Sequence, residues 1–170
     1  MEQFTDILQK ATEKIAREYF ILPLHGADPV YRERVYCYEL YHQIRLHWPE
    51  SSPWRLNGEP DKAAHPDFLD SWFPKPDLLV HQPGTGNNYA VIEVKSISGL
   101  AVGQEKDIET LRRFTNEFGY KRGIYLVYGE GIDRTLQLAG PLIDKRGSRA
   151  IELWIHRAPG TSAECIKLSA

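Results

Sequence analysis

Only two cysteines occur in the 170 residues, Cys37 and Cys165, and the six histidines lack the paired spacing of a zinc ligand set. A disulfide scaffold and a structural zinc site are both disfavoured, and a reducing compartment is the default expectation. An excess of one charge is missing as well. With 21 basic against 23 acidic residues and a net charge of -2, neither a disordered polyelectrolyte nor a histone-like basic protein fits. Any contact with nucleic acid must come from a local patch. Apolar runs extend only a few residues, and the opening Met1-Glu2-Gln3-Phe4-Thr5-Asp6 is acidic where an export signal is basic. Export and membrane spanning are disfavoured, so a cytoplasmic location is expected. What is present is an apolar fraction of 42%, enough to fill one core over about one domain's length, with no internal repeat or low-complexity tract.

Phe4, Ile7, Leu8, Ala11, Ile15 and Tyr19 recur at three- and four-residue steps, which predicts one amphipathic helix ending near Pro23. Asp28 and Pro29 predict the cap and first position of a second helix that runs to Trp48-Pro49. At about 100° per residue, Cys37, Leu40, Tyr41, Ile44 and Trp48 share one face and Val35, Glu39, His42 and Leu46 the other. This helix is expected to be central and apolar on two sides. Within a structured excursion over 49–75, Trp54 to Glu59 reads as a short strand. Asp77 to His81 and Tyr89 to Lys95 read as an antiparallel pair, joined by the Gly- and Asn-rich stretch Pro83 to Asn88.

A helix from Gly103 to Phe118, stopped by Gly119, then precedes a strand from Gly123 to Tyr128 expected at the sheet centre. A helix over 132–145 and strands from Ala150 to His156 and Glu164 to Leu168 close the chain. This order predicts a single α/β domain, a central mixed sheet flanked by helices. It comprises an extra N-terminal helix at 1–22, a core at 29–130, and a C-terminal helix and strands at 131–170.

The charged residues of the hairpin carry the chemistry. Asp77 follows Pro76 at the start of one strand, and Glu93-Val94-Lys95 ends the next. Side chains alternate along a strand, so Glu93 and Lys95 point to one face and Ile92 and Val94 to the other. Charges on a central strand are rarely buried without a partner, so that face meets water, an opposite charge or a metal. If the strands are neighbours, Asp77 is brought near Glu93, and two carboxylates beside a lysine suit a hard divalent cation with the lysine left to orient water.

Pro76-Asp77 followed by Glu93-Val94-Lys95, in a helix, three strands, helix, strand order over about residues 29 to 130, resembles the PD-(D/E)xK nuclease superfamily. The resemblance implies a restriction-endonuclease-like core and a nuclease that hydrolyses phosphodiester bonds in DNA or RNA. By that resemblance, magnesium, replaceable by manganese, is held by Asp77, Glu93 and the Val94 carbonyl, while Lys95 positions the attacking water. Many members add a glutamate from the helix before the sheet. Of Glu33 and Glu39, Glu39 is the expected one, because Val35 and Leu46 make its face too apolar for a freely solvated carboxylate; the alternative is a solvated glutamate near His42. Gln104 and Lys106 match a helix that sometimes supports the family's active site.

Glu59, Lys62 and His65 crowd the loop before Asp77 and read either as a polar turn or as metal, water or phosphate contacts. Lys106, Arg112, Arg113, Lys121 and Arg122 are a candidate phosphate patch, although each alone reads as a solvent-facing cation. Tyr36, Tyr38 and Tyr41, with Trp48 and Trp54, read as core packing and are assigned no ligand. The expected partner is nucleic acid, DNA first, and analogy implies a homodimer or the nuclease subunit of a host-defence or repair assembly. Two other readings stand beside this one: an inactive nucleic-acid-binding or assembly module on the same fold, and an unrelated α/β domain in which Glu93 and Lys95 form a surface pair.

Overall fold

A computed structural model describes residues 3–59, 75–129, 137, 143 and 151–166. The first apolar stripe forms two helices, α1 (Phe4–Glu13) and α2 (Arg17–Phe20), where one was expected. The chain breaks at Ala16, which is extended, yet Ile15 and Phe20 are both buried, so the apolar rhythm continues across the break and hides it. The buried Thr12 hydroxyl accepts a hydrogen bond from the Ala163 N–H at 2.9 Å and ties α1 to the C-terminal part of the chain.

Strands β1 (Leu22–Leu24) and β2 (Ala27–Val30) then pair antiparallel about Gly26, whose φ of 72° lies in the left-handed region. Asp28 and Pro29, expected to start the next helix, belong to β2. A two-stranded ribbon is all edge, which is where a sheet accepts proline.

Helix α3 spans Glu33–Leu46, and its buried side chains Tyr36, Cys37, Leu40 and Ile44 form one stripe. The expectation of two apolar faces is corrected here: Leu46 is 65% and Tyr38 62% exposed. Strands β3 (Arg55–Gly58), β4 (Leu78–His81) and β5 (Asn88–Ser96) follow, then a single 3₁₀ turn at Ile97–Gly99 and helix α4 (Gln104–Asn116). Past α4, Gly119 takes the left-handed conformation expected of a helix stop, with φ 68°. Strands β6 (Arg122–Tyr128), β7 (Ile151–His156) and β8 (Glu164–Ile166) complete a six-stranded mixed sheet of order β3-β4-β5-β6-β7-β8. The pairs β5/β6 and β6/β7 are parallel and the other three antiparallel, so β5 and β6 lie at the centre. The helix expected over 132–145 lies outside the described residues except for Gln137 and Ile143, both helical.

The sheet is covered on both faces. Ala90, Ile92 and Val94 of β5 pack with α1, α2 and α3, whereas Val91 joins Leu79, Tyr125, Val127 and Leu153 against Ile108, Leu111 and Phe114 of α4. Fully burying one such aliphatic or aromatic side chain contributes about 1.5–3 kcal/mol, which makes the two apolar layers the main source of stability. Glu93 and Lys95 stand on the α4 face, in line with Val91. Among the described residues no helix is long and apolar enough to cross a membrane.

Candidate functional site

The site forms where β4 begins and β5 ends. Leu78 pairs with Ile92 and Leu79 with Val91; carried one step further, the antiparallel register sets Asp77 opposite Glu93. Asp77 is anchored there because its Oδ2 accepts the Val94 N–H at 2.7 Å. Lys95, two residues beyond Glu93 and on the same face, places its Nζ 2.8 Å from Asp107 Oδ2 on α4 and 3.4 Å from Glu33 Oε2 on α3. Glu33 reaches over the end of β5, where its Oε1 also accepts from the Ser96 N–H at 3.1 Å and the Ser96 hydroxyl at 3.0 Å. Two carboxylates thus pair directly with the Lys95 ammonium, and Asp77 and Glu93 lie near enough to feel its charge.

The electrostatics follow from this surplus of acid in a poorly solvated place. Burial raises the Asp77 carboxyl from its ordinary 3.8 to about 6, against the pull of the Val94 N–H, and Asp107 and Glu33 add to the rise. Glu93 is pushed well above the usual range by burial first, then by Asp77 and Asp107. No hydrogen bond reaches its carboxylate from the described residues. Burial likewise raises Asp107, while Lys95 opposes it. Lys95 itself is lowered by burial, but Asp107 and Glu33 outweigh that and leave its ammonium more firmly protonated than usual. Tyr125, paired in register with Glu93 on β6, carries a buried hydroxyl with no partner among the described residues; burial and then Asp107 raise it. The buried Cys37 thiol is raised by burial and by the neighbouring Asp77, which leaves it a poor nucleophile.

Asp77, Glu93 and Lys95 are therefore close in the fold, and the helix glutamate that joins them is Glu33. Glu39 is engaged elsewhere: its Oε2 lies 3.2 Å from His42 Nδ1 and its Oε1 accepts from Gln43 Nε2 at 2.6 Å. The two glutamates differ by six residues, about 120° around a helix, so one helix cannot aim both at the same cleft. Glu39 is indeed poorly solvated, its side chain 12% exposed, but His42 and Gln43 satisfy it there in place of a cation. The usable signal for Glu33 was its place one turn before Cys37, on the core stripe. Asp107 also went unrecognised in the sequence, although it stands next to Ile108 and one turn before Leu111 on the inward stripe of α4.

The remaining candidates divide. Glu59 borders the site through its backbone, donating its N–H to the Asp77 carbonyl at 2.9 Å, while its side chain pairs with Arg34 at 3.3 Å. Lys62 and His65 lie outside the described residues. Gln104, half-buried at the start of α4, has a buried Oε1 without a partner among the described residues. Lys106 is exposed, and its charge pulls against the rise of Glu93 and Asp107. The expected basic patch is largely spent on local pairs, Arg112 with Glu109, Arg113 with Glu117 and Arg122 with Glu152.

Among the described residues no three His, Cys, Asp or Glu side chains converge as a ready metal cage. A cation here would rest on Asp77 and Glu93, completed by the Val94 carbonyl and water. No protein-family model matches the chain, and no curated protein aligns with it.

Proposed function

We propose that this chain is a magnesium-dependent nuclease on a restriction-endonuclease-like core, acting on phosphodiester bonds in DNA or RNA. The observation that carries the reading is the pair of poorly solvated carboxylates, Asp77 and Glu93, set opposite one another beside Lys95 with both acids pushed upward. Two anionic groups that repel each other in a low-dielectric place are stabilised by a hard cation held between them. The order α3, β3, β4, β5, α4, β6 supports the same reading, because it is the order in which the superfamily presents its motif.

Magnesium or manganese bound there would acidify water and offset charge building on the phosphoryl oxygens. Asp77 is held rigidly for such a role by the Val94 N–H. The Lys95 ammonium donates one N–H to Glu33 and is paired by charge with Asp107, so it keeps donor capacity to orient a water or a phosphate oxygen. Glu33 and Asp107 fix where that ammonium stands.

A binding or assembly module without turnover is the second reading, favoured by the engagement of the Lys95 ammonium with two carboxylates. DNA as first substrate and a place as homodimer or subunit in a defence or repair assembly rest on the resemblance alone, whereas the cytoplasmic location rests on the few cysteines, the short apolar runs and the acidic N-terminal residues. Incubation of the purified chain with mixed DNA and RNA in magnesium, in manganese and in EDTA separates the two. The nuclease reading expects metal-dependent cleavage that Lys95→Ala abolishes. Salt-dependent binding with intact nucleic acid in every buffer would select the module.

A further inference from the structure

We propose that the groove between α3 and β3, beside Asp77, receives one unstacked nucleobase of a single-stranded nucleic acid. The proposal rests on the nuclease reading of Asp77 and adds the substrate class to it. The groove encloses about 490 Å³ and is lined by Cys37, Tyr38 and Tyr41 of α3, by Asn57 and Glu59 at the end of β3, and by Asp77. That volume falls within the roughly 300–1,000 Å³ of pockets that enclose small organic groups.

Three features select a base as the occupant. Tyr38 and Tyr41 stand three residues apart, so their rings are neighbours on one helix face. Tyr38 is 62% exposed and Tyr41 half-buried, whereas Tyr36, which the sequence groups with them, is fully buried and stacked on Tyr128 at 3.9 Å. Exposed aromatic rings beside a cleft are platforms on which a base of any identity stacks. Asn57 is fixed by a 2.8 Å hydrogen bond between its Oδ1 and His81 Nε2, which leaves amide N–H donors suited to a base edge.

Charge at the rim is also accounted for, since Arg34 pairs with Glu59 at 3.3 Å. Asp77 is shared between the groove and the carboxylate pair, so a base seated on the tyrosines has its own phosphodiester at the acidic end. A base inside a duplex is covered by its neighbours and enters such a groove only after being extruded, at a cost of a few kcal/mol. The groove therefore favours single strands and frayed ends.

The test is fluorescence anisotropy with the full chain in EDTA and in calcium. The probes are labelled deoxy- and ribo-dodecamers as single strands, the deoxy duplex, and a deoxy strand of equal length with abasic sites. The expected result is tighter binding of the single strands than of the duplex or the abasic strand. Tyr38→Ala should weaken the single-strand complexes about tenfold and leave the abasic complex unchanged, and Tyr38→Phe should bind as the wild type. Equal binding of abasic and normal strands, tighter binding of the duplex, unaltered binding by Tyr38→Ala, or no binding at all would overturn the proposal. Because binding is read without turnover, a chain that binds in this pattern but never cleaves loses only the nuclease reading. One that cleaves without dependence on Tyr38 loses only the groove.

Discussion

Asp77 is held in a conformation that costs stability when it is charged. Its folded pKa of about 6 lies above the ordinary 3.8, so the folded chain binds this proton more tightly than the unfolded chain does. The resulting contribution to stability is complete below pH 3.8 and is lost as pH rises through about 6, with a magnitude on the order of 2–3 kcal/mol. Asp77→Asn keeps an oxygen to accept the Val94 N–H and removes the charge. It should raise the melting temperature by about 5 °C at pH 8 and have little effect near pH 4. A variant that melts at or below the wild-type temperature at pH 8 would show that the carboxylate is not strained. Asp107 acts differently, since it touches the Lys95 ammonium and is remote in role from the cation. Asp107→Asn should lower kcat about 10- to 100-fold while KM and manganese affinity hold, because a small displacement of a positioning group costs that much. An unchanged kcat would remove Asp107 from the site.

The elements were legible wherever one local signal decided them. Strands β4 and β5 alternate cleanly or run apolar between turn residues, and the centre of the sheet is a continuous apolar run from Gly123 to Tyr128 that has no place except between two layers. The ribbon β1/β2 was not legible, because three and four mostly exposed residues carry no apolar pattern and Pro29 reads equally well as a helix start. Strand alternation put Glu93 and Lys95 on one face, Asp77 followed on the condition that the two strands neighbour one another, and the family resemblance joined the three as a site. Glu33 and Asp107 could not be placed, because their approach depends on how α3 and α4 dock over the end of β5. That docking leaves little room at the turn after β5: a methyl group on Gly99 would lie 2.7 Å from Glu33 Oε1 and 3.3 Å from Lys95 Cδ. The Glu33 carboxylate is the end of a flexible side chain and yields first. Because that shift breaks the contacts of Glu33 to Ser96 and Lys95, Gly99→Ala should cost about 1–3 kcal/mol of stability and lower cleavage per folded molecule at least tenfold, as read by thermal melts run beside a cleavage assay. A large loss of stability with activity per folded molecule intact would contradict this.

For the molecule as a whole, the two apolar layers give a rigid sheet, and the acidic cluster is confined to the end of one central strand where α3, α4 and β4 meet. The near balance of charge over the chain leaves this cluster as a local excess of acid, which Lys95 and proton uptake by Asp77 and Glu93 relieve in part. The central claim is that Asp77 and Glu93 hold a divalent metal while Lys95 serves turnover. Calorimetric titration with manganese on the wild type, Asp77→Ala and Lys95→Ala, with cleavage of mixed DNA and RNA followed on the same preparations, tests it most directly. The account predicts that Asp77→Ala loses both manganese binding and cleavage, since water replaces an anionic ligand poorly, and that Lys95→Ala keeps the metal and loses cleavage. Manganese binding by Asp77→Ala at wild-type affinity, or cleavage by both variants at the wild-type rate, would contradict it.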